Sequence, residues 1–273
     1  MMDKISLAGD LGSGKSTVAK ILIEKLGAEY YSTGAIVRSI AERRGMSVVE
    51  LNQYMETHPE IDHEIDDGLR QLSSVDKLLI IDSRMAWHFT EGTFKVYLTT
   101  DVETSALRIM SANRQGEHAG TLEETVKETK MRREREKKRY KEQYGVDIMN
   151  LSNYSIVVDT THATPEKIAE QIISAFRIWQ IDRSYKAVYI SPIRLNYLDD
   201  EIEEAEFNEL TATLEAGDEI PEVRVYESDG EFFVDSGNSS AIAYSLFAED
   251  FIPATLVESD ANGRKYVKMR NSL

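Results

Sequence analysis

The segment Gly9-Asp10-Leu11-Gly12-Ser13-Gly14-Lys15-Ser16 constrains this chain more than any other stretch of it. It meets the pattern G-x-x-x-x-G-K-[ST] in full. An apolar run at residues 4–8 precedes it, and a helical pattern (Val18, Ile21, Leu22, Leu26) closed by Gly27 follows. This order has a physical purpose. Glycines let the backbone curl so that successive N–H groups converge on phosphate oxygens, and the helix N-terminus adds a favourable dipole. Lys15 is then expected to reach the β- and γ-phosphates of a nucleoside triphosphate, and the Ser16 hydroxyl to ligate Mg²⁺. Gly9, Gly12, Ser13, Gly14 and Thr17 complete the cradle. The alternative, an accidental glycine-rich turn, has no reason to fall between a strand and a helix.

The remaining pattern extends this beginning. Apolar runs at 28–32, 78–81, 94–98 and 155–159 read as strands, and helical periodicity appears near 34–44, 47–56, 60–74, 101–112, 122–143 and 165–179. Strands alternating with helices predict an α/β fold with a parallel, doubly wound sheet. After residue 183 the pattern changes. Strands are expected at 187–191, 222–226, 232–235 and 252–258, the middle two forming a hairpin through Ser228-Asp229-Gly230, with helices at 199–215 and 239–247. This predicts a separate α+β unit on a short linker, dividing the chain into 1–182 and 186–273. A chain ending near residue 182 is accordingly expected to fold and keep its activity.

Composition removes several classes of chemistry. There is no cysteine, so disulfides, thiolate zinc sites and cysteine nucleophiles are excluded. No stretch approaches the roughly 20 apolar residues of a membrane span. Met1-Met2-Asp3-Lys4 runs directly into a strand without a signal-peptide pattern, which points to the cytoplasm. From residue 186 onward 7 Lys and Arg face 19 Asp and Glu, a net of −12 out of −16 for the whole chain. Such a surface repels polyanions, so a small-molecule partner is expected rather than nucleic acid or membrane. No pattern points to an oligomeric state.

Leu78-Leu79-Ile80-Ile81-Asp82 puts a carboxylate at the carboxyl end of a buried strand, where it can help position the Mg²⁺ shell, or merely cap a turn. Arg84 follows and would enter the same crevice, where open α/β sheets bind ligands. Ser32, Gly34 and Arg38 combine a hydroxyl, a helix start and an arginine that suit a second phosphate; otherwise they are a helix cap with an exposed arginine. Residues 130–141 form a basic run that is either a solvated helix laced by ion pairs or a mobile clamp for phosphoryl transfer. His58 and His63 read as exposed helix residues.

On these residues, 4–178 closely resembles the archaeal-type cytidylate kinases, which are nucleoside monophosphate kinases. The matching stretches are Gly9–Thr17, Ser32-Thr33-Gly34 with Arg38, Gly45-Met46-Ser47 and Pro59-Glu60-Ile61-Asp62. Lys127-Glu128-Thr129-Lys130, Arg139-Tyr140 and Tyr144-Gly145-Val146-Asp147-Ile148 match as well. The resemblance implies a parallel P-loop sheet flanked by helices, and transfer of the ATP γ-phosphoryl group to CMP or dCMP with Mg²⁺. It implies Ser32, Gly34, Arg38 and Arg84 on the acceptor, with Lys15, Asp82 and the lid arginines Arg132 and Arg139 serving transfer. Asp147 would hold the pyrimidine side or orient lid arginines. Two departures stand out: Asp82-Ser83-Arg84 replaces the usual Glu-Gly-Arg, and Lys137 sits where arginine is frequent. A kinase of another small acceptor, and a nucleotide-binding switch acting through the C-terminal unit, are the rival readings.

Residues 186–273 resemble a ParB/sulfiredoxin-type α+β domain through Ile193-Arg194, Ile220-Pro221, Asp229–Gly237 and Ile252-Pro253-Ala254. Gly237-Asn238-Ser239-Ser240 stands where that family carries a basic stretch. A regulatory, assembly or substrate-selecting role is therefore expected there, with an anion at the helix start still conceivable.

Overall fold

Residues 3–55, 57–58, 60–112, 120–200, 202–247, 250–258 and 264–268 are described by the computed structural model of the chain. Pro59, part of one matching stretch, lies outside them, as do Met1, Met2 and Glu56. Continuous apolar runs with no polar face become central strands because they must be covered on both sides. β1 (Lys4–Gly9) is buried at every position. It pairs in parallel with β3 (Leu79–Asp82) on one side and β4 (Thr93–Thr99) on the other. β2 (Glu29–Ser32) extends the sheet beyond β3, and β5 (Ile156–Asp159) extends it beyond β4, all in parallel.

α1 (Lys15–Leu26) and α8 (Pro165–Ile181) cover one face, where Val18, Leu22, Ile172, Phe176 and Trp179 meet Ile5, Leu7, Phe94 and Val96. α2 (Thr33–Arg44), α3 (Val48–Met55) and α4 (Glu60–Gln71) form an insertion after β2 with its own small core around Ile40, Leu51, Met55 and Ile61. α4 stops earlier than its periodicity predicts and tightens into a 3-10 turn at Leu72–Ser74. The short α5 (Ala86–Phe89) follows β3, and α6 (Val102–Ser111) follows β4. α7 (Leu122–Tyr144) starts at a capping box in which the Thr121 hydroxyl accepts from the Glu124 amide and the Glu124 carboxylate accepts from the Thr121 amide. Among the described residues no helix is long and apolar enough to cross a membrane.

The strands after residue 183 continue the first sheet. β6 (Ala187–Ile190) hydrogen-bonds in parallel to β5, pairing Ile156 with Ala187 and Val158 with Tyr189. Beyond β6 come β10 (Ile252–Leu256), β8 (Val223–Ser228), β9 (Glu231–Ser236), β7 (Leu195–Leu198) and β11 (Tyr266–Lys268), so that the strands of the described residues form one 11-stranded sheet. One core joins Tyr97, Leu151, Tyr154 and Val157 to Val188, Ile190, Tyr197, Val223, Phe232 and Ile252. The supposed linker is anchored too: Arg183 forms a two-pronged pair with Asp3 at 2.8 and 3.1 Å. The remaining helices are α9 (Glu204–Glu215), which begins five residues later than its acidic pattern suggests, and α10 (Asn238–Leu246). β7, β11 and α5 are too short to have shown a period in sequence.

Candidate active site

The glycines of the phosphate loop are required for two different reasons. A Cβ on Gly9 would lie 2.3 Å from the Leu98 carbonyl oxygen, and one on Gly12 would lie 2.6 Å from that of Ser105. The loop is therefore pressed against β4 and α6. Gly14 meets nothing, but its φ of +79° favours glycine at the cap of α1. Within this loop the Lys15 ammonium donates to the carbonyls of Gly9 and Asp10 at 2.9 and 2.8 Å. Burial, and then repulsion from Arg84, lower its pKa to about 8 against the attraction of Asp82, Asp10 and Glu136. Ser13 folds inward onto the Asp10 carbonyl at 2.8 Å, whereas Ser16 and Thr17 are exposed at the mouth of the loop.

Across the crevice, Ser32 caps α2 by accepting the Ala35 amide at 3.3 Å. The point where a Cβ on Gly34 would stand lies 3.5 Å from Arg38 Nη1 and 3.7 Å from Ser32 Oγ, so these three residues converge. The Tyr30 hydroxyl donates to Asp82 Oδ2 at 2.9 Å, tying the ends of β2 and β3 together. Ser83 does not project into the crevice: it is 6% exposed, and its hydroxyl accepts the Met85 amide at 3.2 Å.

The lid helix α7 contributes most of the remaining groups. Glu136 is half-buried and bridges two arginines, Oε2 lying 2.6 Å from Arg84 Nε and Oε1 3.2 Å from Arg132 Nε. Burial works to raise its pKa, but Arg84 and then Arg132 outweigh this and hold it below the ordinary value. Two arginines predicted from sequence, Arg84 and Arg132, thus pair with one carboxylate that sequence reasoning did not single out, and Lys15 is close enough to attract it. Further along α7, Arg139 Nη2 lies 3.7 Å from Asp62 of α4, and its Nε is buried without a hydrogen-bond partner among the described residues. Burial raises the Asp62 carboxyl, with Arg139 opposing. Among the described residues Asp147 is paired with a lysine of α7, Lys137. Its carboxylate accepts the Met149 amide at 2.9 Å and faces Lys137 at 3.7 Å.

Asp10 and Arg133 also escaped the sequence reading. Asp10 is 7% exposed and accepts from the Tyr97 hydroxyl, the Thr99 hydroxyl and the Thr100 amide at 2.8, 3.0 and 3.1 Å. Arg133 Nη1 stands 3.3 Å from the same carboxylate. The signal available in sequence was an acid in a loop built for anions, which demands a compensating cation. At the far end of the chain, Asn238 is taken up by the Leu198 amide and carbonyl, and Ser240 is buried, so the start of α10 is committed to structure. His58 stacks on Tyr54 with ring centres 3.5 Å apart.

A glycine-rich loop of the G-x-x-x-x-G-K-[ST] pattern opening α1, with a convergent hydroxyl and arginine at the start of α2 and an arginine-bearing helix α7, has the parts of a P-loop phosphotransferase. The cytidylate kinase-like family model matches residues 4–162, and the chain belongs to that family; it is a nucleoside monophosphate kinase. The cytidylate kinase of Archaeoglobus fulgidus is 35% identical over 179 residues, which is 65% of this chain and 97% of that protein. The cytidylate kinase of Thermoplasma volcanium is 36% identical over 190 residues, 68% of this chain and 95% of its own. An S-adenosylmethionine-dependent nucleotide dehydratase of Lacinutrix mariniflava is 35% identical over 178 residues, 65% of this chain but 36% of that protein.

Proposed function

We propose that the chain transfers the γ-phosphoryl group of ATP to a nucleoside monophosphate, CMP or dCMP first. One observation carries this reading. Arg84 from the end of β3 and Arg132 from the lid clasp a single anionic group, Glu136, and Lys15 of the phosphate loop lies close enough to attract it. A carboxylate bridging two guanidinium groups occupies the kind of place a phosphoryl group takes, since both are anions whose oxygens accept charge-assisted N–H bonds from arginine. The relatives' names support the acceptor class, and the buried Ser83 leaves the crevice as open as a glycine would.

In this reading Ser32, Gly34 and Arg38 hold the acceptor phosphate, already ionised, so no strong general base is needed. One of its oxygens forms a bond to the γ-phosphorus in line with the breaking bond to the β–γ bridging oxygen, and ADP leaves. Lys15, Arg132 and Arg139 meet the charge that develops. The donor set also fits Mg²⁺, an ion that keeps several waters and phosphate oxygens: an exposed Ser16 hydroxyl and Asp82, one of whose oxygens accepts from Tyr30. Bound there, Mg²⁺ would offset phosphate charge. For the C-terminal third, the ParB/sulfiredoxin-type resemblance remains a proposal resting on its sequence motifs. A panel of CMP, dCMP, UMP, AMP, GMP and non-nucleotide acceptors, read by ADP release, tests the function. The highest kcat/KM is expected for CMP or dCMP, and a non-nucleotide in first place would refute the assignment.

A further inference from the structure

Asp10 poses a problem that the kinase reading leaves unsolved. A carboxylate buried in a loop that must receive a triphosphate repels it at close range, where the dielectric is low. Three hydrogen bonds occupy its oxygens but supply no compensating charge. The compensating cation is Arg133, one position along α7 from the Arg132 that serves the crevice, and its Nη1 is 3.3 Å from Asp10 Oδ1. The other contacts of α7 lie further along it: Glu136 pairs with Arg84, and Tyr140 and Tyr144 pack on the apolar cluster around Ile81 and Met85, two and three turns beyond Arg133.

The β8–β9 hairpin supplies the missing support. The Arg133 Nη1 lies 3.7 Å from where a Cβ on Gly230 would stand, at the hairpin tip. Glu227 attracts Arg133 and also accepts the Gly230 amide at 2.6 Å, which shapes a turn with φ of +53° at Asp229 and +83° at Gly230. The tip is itself tied down: Arg194 donates to the Gly230 carbonyl at 2.6 Å, to Asp159 at 3.2 Å and to the Thr99 hydroxyl at 3.4 Å. Thr99 in turn donates to Asp10. Phosphate loop, lid helix, hairpin and Arg194 thus close a ring, half of which lies beyond residue 162, where the family match ends. We propose that the β8–β9 hairpin is a positioning element of the ATP side of the site, holding Arg133 of the lid on Asp10 so that the phosphate loop accepts the triphosphate. The C-terminal third is then part of the kinase machinery of this chain. This rests on the function proposed above.

The test uses the full chain, with ATP binding followed by calorimetry and turnover by steady-state kinetics. Arg133→Gln should raise the Kd and KM for ATP at least about fivefold, leave the KM for the acceptor near its original value, and be largely rescued by Arg133→Lys. Glu227→Gln, which leaves the core untouched, should shift ATP in the same direction by less. The double variant should bind ATP no more weakly than Arg133→Gln alone, because both act through one guanidinium. Unchanged ATP affinity in Arg133→Gln overturns the proposal, as does full additivity in the double variant or an equal rise in the acceptor KM. A parent chain that binds ATP yet phosphorylates no acceptor would instead overturn the functional reading, and the ATP titrations would still decide the role of the hairpin.

Discussion

Lys15 is a strong cation made easier to discharge by its surroundings. Burial and then Arg84 bring its pKa to about 8, so it loses its charge as pH rises through that value rather than near 10.5. The free enzyme then attracts phosphate less well above pH 8. The profile of kcat/KM for ATP, which reports the free enzyme, should show an alkaline limb near pH 8 that Arg84→Gln moves upward. Lys15→Ala should lower kcat at least about a hundredfold and remove the limb. A limb that persists in Lys15→Ala would belong to another group. At this scale the motif lysine, the loop glycines and the arginines were legible in sequence, because each is demanded by phosphate chemistry. Asp10 and Glu136 were not. The first occupies an unrestricted position of the loop pattern, and the second lies within a run of alternating charges in which no single glutamate stands out.

Two elements, α2 and α7, divide the work in the proposed reaction. Arg38 on α2 is proposed to hold an acceptor phosphate whose charge persists from ground state to transition state. Arg38→Ala should therefore mainly raise the acceptor KM. Arg132 on α7 meets charge that grows during transfer, so Arg132→Ala should mainly lower kcat. The two variants affecting only ATP binding would disprove both assignments. The existence of α7 could be read from its capping box and its charge spacing. Which of its faces looks inward could not, since apolar periodicity is the signal for facing and here the inward face joins only Tyr140 and Tyr144 to a row of charged groups. Ion pairs with Asp10, Arg84 and Asp62 orient the helix, and their partners are 123, 52 and 77 positions away along the chain.

Across the whole molecule the seam between β5 and β6 decides whether the first 182 residues stand alone. Ending the chain there uncovers the edge of β5, exposes Tyr97, Tyr154 and Val157 to water, and removes Arg194 from a fully buried Asp159. Taking away one partner of a buried pair costs about 3–5 kcal/mol. The shortened chain is thus expected to aggregate, or to melt well below the full-length protein by calorimetry, contrary to what the sequence pattern alone suggests. A soluble fragment with an unchanged melting temperature would show that the seam contributes little. The sequence by itself determined the phosphate loop, the alternation of strands and helices, and the family, because these rest on local spacing: glycines at a turn, apolar residues at period 2 or 3.6. Only the tertiary structure decided that a second run of strands continues the first sheet, and which lid residues touch which loop. An exposed strand edge and a buried one have the same sequence period, and the pairing of opposite charges depends on distances that no local pattern records.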